Sequence, residues 1–364
     1  MKRLGRQKQH SRTAGSGLLF FANGEQKHAT TGYAARPGGL YTWGTLRLRT
    51  DSYAFTASIL IVSYNTRELL RRCLLAAEQE CARLPEGESA EIVVVDNASA
   101  DGSAAMVREE FAGRVRLLEA GVNLGFGAAN NVAIEAAAGE FLVLLNSDAF
   151  FQKGALARAI AHMREAARVG AGGARLVSAD GTPQPSARSF PTLVEEARTL
   201  LGRAGAQSPE SAATVDWVTG AFMILRRQAL AQSGLFDERF FLFCEEVDLC
   251  RRIGQAGYAV QYWPDVVVTH LGGESSGGAQ VFRPRIELWQ LRSTLLYFRK
   301  HHGAQVWLLC CLYALFFLLR WGRNSLSSAS WRRQCAGEAE ERFALLRQAW
   351  SETAGGRTSP PRPW

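Results

Sequence analysis

Short unbroken apolar runs alternate with amphipathic stretches over most of the chain, and this alternation predicts its architecture. Ser58-Ile59-Leu60-Ile61-Val62 has the pattern of a strand buried on both faces. From Thr66 to about Cys81 the period changes, and Leu69, Leu70, Cys73, Leu74 and Ala77 fall on one helical stripe. A second buried strand, Ile92–Val95, ends at Asp96-Asn97, and Asp101 then caps a predicted short helix to Phe111. The cycle repeats as strand Val115–Leu118, glycine turn Asn123–Gly127, helix through Ala138 and strand Phe141–Leu145. Strands alternating with helices at this spacing predict βαβ units, hence an α/β fold with a mostly parallel sheet. Ligands of such sheets sit beyond the carboxyl ends of the strands. Ser63-Tyr64-Asn65, Asp96-Asn97 and Asn146-Ser147-Asp148 are therefore expected to share one crevice.

The second half is more mixed. Helices are predicted over Ala155–Arg168, Cys244–Ala256 and Ile286–His302, and strands over Trp217–Leu225, Tyr258–Trp263 and Val266–Thr269. Pro183–Pro209 is polar and punctuated by proline, the pattern of a variable loop, and Gly272–Gly278 is a glycine-rich loop. Val306–Leu319 is the most apolar segment, yet it falls short of the roughly 20 residues that a membrane span needs. Its basic flanks and its aromatic residues Trp307, Tyr313 and Trp321 suit a helix lying against a membrane surface; the bland alternative is a buried packing helix.

Composition narrows the classes. Residues 1–50 hold nine Lys/Arg against Glu25 alone, so the whole net charge of +8 resides there and the remaining chain is neutral. A neutral body excludes a nucleic-acid groove in the folded region and leaves a solvated basic arm. Seven irregularly spaced cysteines form no CxxC pair and no disulfide framework. No secretory signal is evident, since Leu18-Leu19-Phe20-Phe21 is too short, so the expected location is cytoplasmic, peripheral on the inner face of the cell membrane. The expected organisation is a disordered arm over 1–55, a catalytic domain over 56–285, C-terminal helices over 286–350 with a membrane-associating segment at 304–321, and a disordered tail over 351–364.

Candidate chemistry gathers at the strand ends. Asp148 follows a buried strand where no helix needs a cap, a placement that suits a hard cation bridging two phosphates. Asn123, Gly125 and Phe126, with Asn130 in the following helix, form a turn whose backbone amides would favour a phosphate. Glu245, Glu246 and Asp248 start a helix after the apolar Phe240–Cys244, so Glu246 is expected at the edge of a dry pocket where desolvation raises a carboxylate toward a useful base. Asp248 has an ordinary partner in Arg252 four residues on. His270 ends an apolar strand, and its company gives it weight.

Taken together, these segments resemble family 2 inverting glycosyltransferases of the GT-A fold, in the rhamnosyltransferase-like branch. The matching stretches are Ile59–Asn65, Val93–Ser99, Asn123–Asn131, Leu144–Asp148, Thr219–Met223, Gly234–Arg251, His270 and Leu296–Gly303. The resemblance implies a Rossmann-like GT-A domain with a helical extension. It implies a nucleotide-diphosphate sugar (dTDP-, UDP- or GDP-linked) held by Ser63, Tyr64, Asn65, Asp96, Asn97, Asn123, Gly125, Phe126, Asn130 and Asn146. Asp148 and His270 would hold Mg2+ or Mn2+, and Glu246 would be the base, with Glu245 a second candidate. The implied reaction moves a sugar such as rhamnose to a glycan or lipid-linked acceptor in cell-surface polysaccharide synthesis. Two departures stand out: Asn146 replaces the first Asp of the usual metal motif, and Glu246 the more usual Asp. A hexosyl- or galactofuranosyl-transferase of the same family, and a catalytically silent nucleotide-sugar binder, are the alternatives.

Overall fold

A computed structural model describes residues 52–203, 208–272, 284–325 and 330–362. The basic arm before Ser52 and the glycine loop beyond Gly272 lie outside the described residues. The first half follows the predicted alternation: β1 (Phe55–Ser63), α1 (Arg67–Cys81), β2 (Ala90–Asp96), α2 (Ser103–Glu110), β3 (Arg116–Glu119), α3 (Phe126–Ala136) and β4 (Gly139–Asn146). These strands pair in parallel in the order β3-β2-β1-β4, and the apolar runs of β2, β1 and β4 are buried as expected of a sheet covered on both faces, while edge strand β3 is only half-buried.

The chain continues as β5 (Ala149–Phe151), α4 (Ala155–Glu165), β6 (Val169–Val177), β7 (Pro183–Gln184), β8 (Ala187–Arg188), α5 (Leu193–Leu200), β9 (Ala213–Thr214), β10 (Trp217–Val218) and β11 (Phe222–Arg226). It ends with α6 (Arg227–Ser233), α7 (Glu245–Gln255), β12 (Ala259–His270), α8 (Pro284–His302), α9 (Gln305–Ser325) and α10 (Ser330–Glu352). β11 runs antiparallel between β4 and β6, and the sheet closes with β12 parallel to β6 and β5 antiparallel to β12.

One face of the sheet packs on α1, α2 and α4, and the other on α3, α6 and α7. A third apolar cluster joins Phe240 and Val247 to α8, α9 and α10. Helix α7 is thus shared, packing on the sheet through Leu249, Cys250 and Ile253 and on the helical extension through Val247.

Several expectations are corrected. The stretch Pro183–Pro209 is not simply loop: it contains β7, β8 and the amphipathic α5, whose Thr192 caps the Glu195 amide (3.2 Å). The two strands predicted around Pro264 are one strand, β12, with a register shift between Trp263 and Val267; proline, lacking an N–H, is accommodated at that irregularity. The tail after Glu352 is packed as far as residue 362: Thr353 is fully buried, the Arg299 guanidinium donates to the Gly355 carbonyl (2.9 Å), and Ser359 donates to the Arg239 carbonyl (3.1 Å).

Candidate active site

The parallel register alone sets three predicted positions side by side, with Ser63 beside Asp96 and Val62 beside Asn146. Side chains then tie the strand ends together. Ser63 and Thr66 share a hydrogen bond (3.0 Å), and Thr66 donates to the Ser147 hydroxyl (2.8 Å). Asp96 accepts from the Ser99 amide through Oδ2 (3.0 Å), while its buried Oδ1 accepts nothing. Tyr64 stands at the lip, 39% exposed.

Asp148 and His270 meet across β5 and β12. His270 pairs in register with Ala149, and the Leu271 amide donates to the Asp148 carbonyl (3.1 Å). The imidazole Nε2 lies 3.5 Å from Asp148 Oδ1, which is buried and makes no hydrogen bond. The other ring nitrogen is held by Gln184: its amide nitrogen donates to the His270 carbonyl and to Ser178 (2.8 Å each), leaving its oxygen 3.0 Å from Nδ1. Gln184 thus orients the ring so that Nε2 faces an unsatisfied carboxylate oxygen. An imidazole nitrogen and a carboxylate oxygen so placed could share a divalent cation. Among the described residues no group of three or more His, Cys, Asp or Glu surrounds one point. Two protein ligands would leave the remaining positions of a divalent cation to water and diphosphate oxygens.

Glu245 and Glu246 open α7 next to the start of α3. A Cβ on Gly127 would lie 3.4 Å from that of Glu245, so the missing side chain lets the two helices approach. Both carboxyls are raised. For Glu245 burial acts first and the charge of Glu246 second; for Glu246 burial dominates, opposed by its helix-start amides and by Arg188. Of the two, only Glu246 has a neighbouring cation among the described residues, Arg188, which favours its charged form. Gln184 of β7 contacts His270, the Thr219 amide donates to the Ser186 carbonyl (3.0 Å), and the charge of Arg188 in β8 favours the charged form of Glu246. Among the described residues, every buried carboxylate oxygen without a hydrogen bond belongs to Asp96, Asp148, Glu245 or Glu246.

Other predicted site residues have their polar groups spent on the fold. Asn65, with φ 55°, receives the Ala100 amide on its side chain (2.8 Å) and gives its own amide to Ser99 (3.0 Å). Asn97 accepts from the Leu124 amide (2.8 Å) and donates to Asn123 (3.0 Å), and Asn130 donates to the Phe126 carbonyl one turn back (3.0 Å). The phosphate cradle expected at the start of α3 does not hold. The amides of Leu124, Gly125 and Phe126 are taken by Asn97, Asn123 and the Phe241 carbonyl respectively. Asp248 is fully buried with both oxygens committed, Oδ1 to His301 (2.7 Å) and Lys300 (2.6 Å), Oδ2 to Arg252 (2.8 Å). It anchors α7 to α8 and has no oxygen left to take a substrate proton. Gln184 and Arg188 escaped the sequence reading, because a lone polar residue in a proline-rich stretch carries no periodic or motif signal.

A doubly covered α/β sheet thus carries unsatisfied carboxylates and an imidazole at the carboxyl ends of its strands. The glycosyl transferase family 2 model matches residues 58–234. The N-acetylglucosaminyl-diphospho-decaprenol L-rhamnosyltransferase of Mycobacterium tuberculosis H37Rv is 31% identical over 209 residues, covering 51% of this chain and 68% of the relative. Rhamnosyltransferase WbbL of Escherichia coli K12 is 31% identical over 117 residues, covering 31% of this chain and 43% of the relative. The solved structure of GalNAc-T7 with UDP, GalNAc and Mn2+ superposes with a TM-score of 0.50 at 15% identity, over 84% of this chain and 58% of that one, and supports the fold. The chain belongs to glycosyl transferase family 2 and is a glycosyltransferase of the rhamnosyltransferase-like kind.

Proposed function

We propose that the chain transfers a sugar such as rhamnose, with inversion, from a nucleotide-diphosphate donor to a lipid-linked glycan acceptor. The observation that supports this reading is that the buried carboxylate oxygens left without a hydrogen bond among the described residues all belong to Asp96 and Asp148, which end or follow strands, and to Glu245 and Glu246, which open α7. Leaving such atoms bare and buried costs about 1–3 kcal/mol each, a cost that a bound ligand would offset.

In this reading Asp96 accepts from the nucleobase, with Ser63, Tyr64 and Asn146 lining the same side. Asp148 and His270 hold Mg2+ or Mn2+, which supplies Lewis-acid neutralisation of the diphosphate charge. Gln184 keeps Nε2 of His270 aimed at that position. Glu246, whose charged form Arg188 favours, accepts the proton of the acceptor hydroxyl as its oxygen bonds to the anomeric carbon and the diphosphate oxygen departs. Asp248 is a positioning residue. The lipid-linked acceptor is suggested by the substrate in the name of the Mycobacterium tuberculosis relative, and it accords with a cytoplasmic enzyme resting on the inner face of the membrane through α9. That helix is long and apolar enough to cross a membrane, and only 22% of its apolar window is buried.

Screening dTDP-, UDP- and GDP-sugars for transfer to a diphospholipid-linked N-acetylglucosamine tests the reading. Glu246→Gln should abolish transfer and keep nucleotide affinity. Unchanged turnover would remove Glu246 from the role, and no turnover with any donor would overturn the reaction.

A further inference from the structure

Of the ten large apolar side chains exposed among the described residues, eight lie on α9 or on α5 and the residue that ends it. These are Trp307, Leu308, Leu315, Leu318, Leu319 and Trp321, with Val194 and Leu201. So strong a concentration marks a functional surface rather than ordinary scatter. The two helices are joined by Tyr313, which donates to Glu196 (2.6 Å), and a cleft of about 510 Å³ runs between them. Val194, Leu201, Leu308 and Leu312 line it, and the charged residues lining it are Arg198 and Arg203, with no acid among them. Arg198 pairs with Glu195 on the surface, whereas Arg203 has no ion pair among the described residues. Both the volume and an apolar wall with a few polar groups are typical of small-molecule sites.

Helix α5 and the start of α7 pack on one apolar cluster. Leu193 and Leu200 of α5 pack on the same apolar cluster as Cys244, the residue immediately before Glu245. Burial, then the charges of Glu246, Glu245 and Glu196, push the Cys244 thiol up, so α5 stands within electrostatic reach of the catalytic helix start.

We propose that the α5–α9 cleft binds the first isoprene units of a polyprenyl-diphosphate acceptor, with Arg203 and Arg198 facing its diphosphate. The proposal rests on the lipid-linked acceptor of the preceding section and assigns it a place. An isoprenoid chain matches the apolar wall, two guanidinium groups match a diphosphate, and the exposed apolar face of the same helices lets the lipid enter without crossing water.

Photo-crosslinking of the full-length chain with diazirine-bearing farnesyl diphosphate, mapped by mass spectrometry, tests it beside affinity measurements with unmodified farnesyl diphosphate. Label is expected within residues 193–203 and 308–315, and excess inorganic pyrophosphate, competing for Arg203 and Arg198, should reduce it; label that pyrophosphate leaves unchanged would remove the two arginines from the site. Leu201→Asp and Leu308→Asp replace exposed residues, so the fold should tolerate them. Each should weaken farnesyl diphosphate roughly tenfold, the effect of losing one apolar side-chain contact, while nucleotide binding stays unchanged. Label elsewhere, or unaltered affinity in both variants, overturns the site. So does loss of binding to phosphatidylglycerol vesicles with farnesyl affinity intact, which would make the face a bilayer contact. A shift from dimer to monomer in the variants, with farnesyl affinity intact, would make it a self-association surface and overturn the site equally. A chain that binds farnesyl diphosphate in the cleft but no sugar nucleotide would leave the cleft standing and refute the reaction instead.

Discussion

Replacing Asp248 with alanine removes the carboxylate on which Arg252, Lys300 and His301 of two helices converge. Its side chain is fully buried, and those of Arg252, Lys300 and His301 are 15%, 24% and 7% exposed, so solvent screens these contacts little. Removing one partner from a buried ionic group costs about 3–5 kcal/mol, because the remaining charges stay desolvated. Here the cost is cushioned: Lys300 keeps Asp237 (2.7 Å), and Arg252 keeps the Ser233 carbonyl (2.6 Å). The expected loss is therefore about 3 kcal/mol, the lower end of that range. Asp248→Asn, which can still accept hydrogen bonds, should lose less. Urea denaturation of the three proteins at pH 7 measures both.

The pH dependence has a definite sign. Burial alone would raise the Asp248 carboxyl, but the His301 hydrogen bond and the charges of Arg252 and Lys300 outweigh it and hold the group below its ordinary range. A depressed carboxylate contributes stability in full above its unfolded value of about 3.9, and that contribution disappears as pH falls through the lower folded value. The gap between wild type and Asp248→Ala should therefore be level from about pH 5 to 7 and close only below about pH 4. A loss under about 1 kcal/mol at pH 7, the size of an exposed pair, would refute the reasoning.

Three further outcomes follow from the same geometry. The acid limb of kcat/KM should fall at a pH above the ordinary glutamate value of 4.5, since burial raises Glu246 and the base must be ionised; a limb at or below 4.5 counts against the assignment. Chelation by EDTA, or Asp148→Ala, should abolish metal-dependent nucleotide binding in calorimetry, and Gln184→Leu should weaken metal affinity by roughly 10–100-fold, as loss of a ligand-orienting partner does; unaltered binding in these variants removes the metal site. Gly125→Ala should destabilise by about 2 kcal/mol or more, because φ is +84° and the new Cβ would lie 2.2 Å from the Phe241 carbonyl oxygen; a neutral thermal shift would contradict that.

The amino-acid pattern determined the parallel half of the sheet, the order of its helices and the carboxyl edge where Asp96, Asn146 and Asp148 gather. Those features follow from local periodicity and from the handed, directional nature of βαβ units, which need no knowledge of distant partners. It also singled out Glu246 and His270, because acidic residues at a helix start and an imidazole at a strand end are legible in isolation. Tertiary structure alone decided how each polar group is spent. Asn97, Asn123 and Asn130 look like ligand-binding residues until their hydrogen bonds are traced to the fold, and Asp248 resembles Glu246 in one dimension but meets Lys300 and His301, some fifty positions away, in three. Gln184 and the α5 face emerged only when the chain brought β7 to His270 and α5 to α9. Hydrogen bonding and desolvation depend on which distant atoms arrive at a point, and no local period encodes that.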